Sequence, residues 1–123
     1  MALSQAGWRN LYWTLLAVWV LCAALDMRHI HAGMLTDYGA DLTQPAWLYI
    51  ASRSLDNPAR QGWVRRTVGA TPIRAAALIF LGSTATEISQ YFWPQGLFPG
   101  TYDPFDILAY AVGTGICFAL DTR

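Results

Sequence analysis

The sequence predicts an all-α protein: a small polytopic membrane bundle of about four transmembrane helices, with the N-terminus and C-terminus cytoplasmic. Three observations predict it. The 123 residues are 54% hydrophobic and only 13% charged, with a mean hydropathy of +0.28; an ordinary globular domain carries about 25% charge. Three apolar runs contain at most one ionisable group each. The eight basic residues are all arginines, and they gather on one side of those runs. The length suits one domain, residues 1–123, and the chain has no internal repeat or low-complexity tract. Formal net charge is zero, which leaves no electrostatic case for nucleic-acid binding.

The first run, "NLYWTLLAVWVLCAAL" (10–25), has sixteen residues without a charge. It could be read as a signal peptide, but no small-x-small cleavage site follows and Trp13 and Trp19 inside it suit a retained helix. "VLC" lacks the small residue expected before a lipidated cysteine, so Cys22 is not expected to be an anchor. The second segment, "LTQPAWLYIAS" (42–52), is short and reaches spanning length only if it takes in Asp37, Gly39 and Asp41. A spanning helix with a polar outer end and a re-entrant half-helix are the two readings. The third run, "AAALIFLGSTATEISQYFW" (75–93), carries one carboxylate, Glu87; the fourth, "PFDILAYAVGTGICFAL" (104–120), carries Asp106. At about 1.5 Å per residue the three long runs reach roughly 24 to 28 Å, close to a hydrocarbon core of about 30 Å.

Arg9 precedes the first run, and Arg53, Arg60, Arg65, Arg66 and Arg74 lie between the second and third; Arg123 closes the chain. Only Arg28 falls in a loop on the other side. Positive charge on the cytoplasmic side therefore sets the orientation. Most carboxylates sort oppositely, with Asp56 and Asp121 inside. Cys22 and Cys117 are expected at different depths, which argues against a disulfide. His29 and His31 form a His-x-His pair, but no further ligands converge on it in sequence, and no metal or cofactor is expected.

The polar residues within the runs carry the functional question. Ser83, Glu87 and Gln90 share a helical face at i, i+4 and i+7. An ionised carboxylate at that depth costs several kcal/mol, about the price of an unpaired membrane charge, unless paired, wetted or protonated. In "TYDPFDIL", Asp103 reads as an N-cap with Pro104 at the first helical position. Asp106, Tyr110 and Gly113 then share a face. A short connection makes the third and fourth spans antiparallel neighbours, so Glu87 and Asp106 can face each other, with Arg28 the candidate partner. Interhelical hydrogen bonding alone would also account for such a stripe.

Glu87-x-x-Gln90 near a helix end, a Gly-containing loop, then Asp106 and Gly113 resembles the VanZ-like membrane proteins. "DYGADLTQPAWLYIASR" (37–53), with Asp41 before an apolar helix, resembles the second span of that family. The likeness covers about residues 37–120. Two positions depart from it: "PQGLFPGTY" (94–102) has no Arg, and Tyr110 stands where the family tends to carry Asn. The resemblance implies a multi-pass protein of a bacterial inner membrane, linked to glycopeptide (teicoplanin) resistance. The expectation is an outward-facing polar pocket of Glu87, Gln90, Asp106, Tyr110, Asp41 and Arg28, binding an envelope lipid, a glycopeptide or a cation. Its expected partners are the lipid bilayer, that ligand and a second copy of the chain as a homo-oligomer. A small proton-coupled multidrug exporter and a structural assembly subunit are the alternatives. The exporter reading needs a carboxylate in the first span, which has none. No nucleophile–base or phosphate-binding motif points to an enzyme, although two facing carboxylates admit acid–base work.

Overall fold

In the computed structural model, residues 3–30, 33–93, 95–96 and 103–123 are described, apart from the side chains of residues 34–37. Every regular element among them is helical: α1 (Gln5–Met27), α2 (Met34–Arg53), α3 (Trp63–Thr67), α4 (Pro72–Phe92) and α5 (Pro104–Asp121). By length and composition, α1 and α5 are long and apolar enough to cross a membrane.

Local chemistry sets the boundaries. Ser4 caps α1 by accepting the Gly7 N–H at 3.1 Å, and Thr71 caps α4 by accepting the Arg74 N–H at 3.2 Å. Pro72 and Pro104 occupy first-turn positions, where a missing N–H costs nothing. The polar segment from Asp37 to Asp41 is helical, so α2 has twenty residues, the length expected of the longer of the two readings. It continues through Pro45, which is fully buried. Ser54 ends α2 in the left-handed region (φ 57°), and its hydroxyl donates to the Arg60 carbonyl at 2.7 Å. The arginine-rich connection contains α3, an extra turn that the spans did not predict.

α2 is the centre of the bundle, packing on α1, α4 and α5. Tyr38 reaches Asp103 at one end of α2, and Arg53 reaches Asp121 at the other, so α2 and α5 run parallel. They approach closely because Gly113 lies against the Leu42 carbonyl, which a Cβ there would strike. The apolar core gathers Trp8, Ala46, Tyr49, Ile50, Ala75 and Cys117 at the arginine-bearing end.

Around this core, many large apolar side chains are exposed. On α5 the exposed residues include Phe105, Leu108, Val112 and Ile116, spaced along one face; Tyr110, Gly113, Thr114 and Cys117 are buried. Trp13, Leu81 and Phe92 are also exposed, while Thr43, Ser52 and Glu87 are buried. Water would disfavour so much exposed apolar surface, whereas lipid tails accept it.

Candidate functional site

The inward stripes of α2, α4 and α5 bring polar side chains together at the end of the bundle away from the arginines. Glu87 is only 2% exposed. Its Oε1 accepts the backbone N–H of Asp103 at 2.7 Å, and its Oε2 lies 3.3 Å from the Tyr110 hydroxyl. The same hydroxyl is 3.3 Å from Asp41 Oδ1. Asp106, one turn before Tyr110, lies close to the side chains of both Asp41 and Glu87. Asp41, Glu87, Asp106 and Tyr110 are thus one connected network spanning three helices.

Hydrogen-bond bookkeeping constrains this network. Tyr110 has one proton to give and faces two carboxyl groups. Asp106 beside them adds a third carboxyl group, and neighbouring carboxylates repel unless one of them carries a proton. The cluster therefore needs shared protons, or a cation, to offset the repulsion of three acids held together.

Asp103 closes the network from outside. Its side chain accepts the Phe105 N–H at 3.0 Å, completing the predicted N-cap, and accepts the Tyr38 hydroxyl at 3.1 Å. The α5 cap is thereby tied to α2 by one side chain and to α4 by its own backbone.

Arg28 does not join the cluster, which corrects the pairing expected from its position in the sequence. It is exposed, and its backbone caps α1, which packs on α2 alone. No ion pair links it to Asp41, Glu87 or Asp106 among the described residues. Gln90 is half-buried one turn beyond Glu87, with no hydrogen bond to the cluster among the described residues. His31 lies outside the described residues, as do Pro94 and residues 97–102 of the loop between α4 and α5, so the His29–His31 pair has no geometry to report. Cys22 and Cys117 are both buried, and no disulfide joins them.

A second polar centre at the opposite end was missed by the sequence reading. Asp121 Oδ2 accepts from Arg53 Nε at 2.9 Å and from the Tyr49 hydroxyl at 2.6 Å. Arg53 Nη1 also donates to the Gly69 carbonyl at 2.9 Å, as Arg65 does at 2.8 Å. Gly69 sits against the Ser52 carbonyl, where no side chain fits. The spacing Tyr49–Arg53 at i, i+4 was the available signal. This centre fastens the arginine-rich connection and the end of α5 to α2.

Between α2 and α4 lies a cleft of about 500 Å³. It runs from Arg60, Val64 and Val68 at the arginine end to Thr86 and Tyr110 beside the acidic network. Of the residues expected to line a pocket, Tyr110 alone borders it.

No protein-family model, curated protein or solved structure matches the chain. The functional reading accordingly rests on these residues and their geometry.

Proposed function

We propose that this chain is a four-span protein of a bacterial inner membrane, VanZ-like in type, with both termini cytoplasmic. Its acidic network binds the positively charged group of a ligand such as an envelope lipid or a glycopeptide. The exposed apolar surface supports membrane burial of α2 and α4 alongside α1 and α5. The arginine distribution supports the orientation.

One observation carries the ligand reading. Asp41, Glu87 and Asp106 meet around Tyr110 with no arginine bonded to them among the described residues. Removing several carboxyl groups from water without a counter-charge is costly. A cationic group would relieve that cost. An organic cation fits better than a metal ion, because no acid, His or Cys group of metal-holding geometry occurs among the described residues. Glu87, Asp41 and Asp106 supply charge, and the Tyr110 hydroxyl orients the bound group. Gln90, one turn beyond Glu87 on α4, meets the ligand from the outer side of the network.

The experiment compares teicoplanin sensitivity of cells expressing wild type, Glu87→Gln or Asp106→Asn at equal membrane levels. The ligand reading expects altered sensitivity in both variants. Unchanged sensitivity removes the ligand role.

A structural role has its own supporting observation: both oxygens of Glu87 are engaged by α5, through Asp103 and Tyr110. On that reading the network only holds helices together, and the two variants lose stability without any change in ligand response.

A further inference from the structure

The cleft between α2 and α4 combines features that the acidic network does not explain. Gln44 and Ser83 border it, and neither side chain has a hydrogen-bond partner among the described residues. They sit beside the network's own residues, Gln44 three positions after Asp41 and Ser83 four before Glu87. Polar groups at membrane depth are retained where they line a cavity or bind something. The middle of the cleft is apolar, formed by Leu48, Leu78 and Ile79. At its far mouth Arg60 is already paired with Asp56. The volume of about 500 Å³ falls within the roughly 300–1,000 Å³ common for small-molecule sites.

We propose that this cleft is a binding site for a cationic amphiphile, its charged head at Tyr110 and its apolar body along Leu48, Leu78 and Ile79. The inference rests on the cationic-ligand reading of the acidic network and adds the seat and the chemical class. The head lies against Gln44, Ser83 and the Tyr110 hydroxyl, with three carboxyl groups directly behind that hydroxyl. The body fills the apolar stretch, so the ligand enters from the lipid phase between α2 and α4 rather than through the outer loops. A neutral or anionic head gains nothing from the carboxyl groups, which is the source of selectivity.

The test uses full-length protein in phosphatidylcholine nanodiscs and equilibrium dialysis, with the uptake of empty nanodiscs subtracted. The probes are dodecyltrimethylammonium and, as its uncharged counterpart at neutral pH, dodecyldimethylamine oxide. A Cβ at Gly82, on the cleft wall, would meet nothing within 4 Å, so Gly82→Leu adds bulk at the cleft without displacing the backbone. Gly115 is equally open but lies away from the cleft, and Gly115→Leu serves as the control.

The expected result is saturable binding of the ammonium probe, unchanged in Gly115→Leu. Binding should weaken about tenfold or more in Glu87→Gln, through lost charge–charge attraction, and in Gly82→Leu, through loss of space in the cleft. The amine oxide, without net charge, should bind at least about tenfold more weakly than the ammonium. Loss in Glu87→Gln with full binding in Gly82→Leu overturns the cleft and leaves the acidic-network reading standing. Loss in Gly82→Leu with equal binding of both probes and a silent Glu87→Gln overturns the cationic seat together with that reading. Absence of saturable binding overturns the proposal outright.

Discussion

Glu87 in α4 accepts the backbone N–H of Asp103 at 2.7 Å, so a buried side chain of one helix serves the N-terminus of the next. The N-terminal N–H groups of a helix have no intrahelical acceptor, and a carboxylate there also meets the positive end of the helix dipole. Glu87 and Asp103 thereby fix the approach of α4 to α5 at the point where the acidic network forms.

Replacing Glu87 by Ala strands the Asp103 N–H and removes a partner of Tyr110. Unsatisfied buried groups cost about 1–3 kcal/mol each. Glu87→Ala should therefore lower stability by about that amount or more, while Glu87→Gln, which keeps an acceptor oxygen, should cost less than Ala. Chemical denaturation in mixed micelles would measure both. Equal stability of Glu87→Ala and wild type would contradict the packing described.

Gly113 and Gly115 make a matched pair on α5. A Cβ at Gly113 would strike the Leu42 carbonyl, whereas one at Gly115 meets open space. Gly113→Ala should destabilise by about 1–3 kcal/mol through forced separation of α2 and α5. Gly115→Ala should be neutral or slightly stabilising, as alanine favours a helix over glycine by up to about 1 kcal/mol. The same denaturation experiment would compare them, and a reversed order would place the α2–α5 contact elsewhere.

The Arg53–Asp121 pair has side chains only 13% and 7% exposed. Removing one partner from a buried ion pair costs about 3–5 kcal/mol, while removing both costs less than the sum. Arg53→Leu and Asp121→Leu should each be strongly destabilising, and the double variant should recover part of the loss. Additive losses would mean that the two side chains do not depend on each other.

The legible parts of the fold were those written as local periodicity. Asp106, Tyr110 and Gly113 share a face by spacing, and the structure turns Tyr110 and Gly113 into the α2–α5 interface. The Asp-Pro step announced the α5 cap. Arg28 misled because sequence position gives depth but not azimuth: among the described helices the α1 backbone packs against α2, not against α4 or α5. Arg53 and Asp121 fall at span ends sixty-eight positions apart, so sequence order places both on the cytoplasmic side without pairing them. The cleft was invisible for a different reason, since it comes from the spacing of α2 and α4 and not from any residue pattern.

Orientation has its own check. Single cysteines replacing His29 and Gln61, with Cys22 and Cys117 changed to Ala, should react with a membrane-impermeant maleimide from opposite sides. Position 29 should label in intact cells and position 61 only in inverted vesicles. Both labelling from the same side would contradict the four-span arrangement.

The central claim is that Glu87 and Tyr110 act as one unit inside the bundle, and a double-mutant cycle tests it most directly. Unfolding free energies of Glu87→Ala, Tyr110→Phe and the double variant, measured in the same bicelles, give the coupling. Contacting residues in a shared hydrogen-bond network show about 0.5–3 kcal/mol of coupling, and the predicted value lies in that range. Additivity within about 0.3–0.5 kcal/mol, the behaviour of distant and independent sites, would contradict the network and the function built on it.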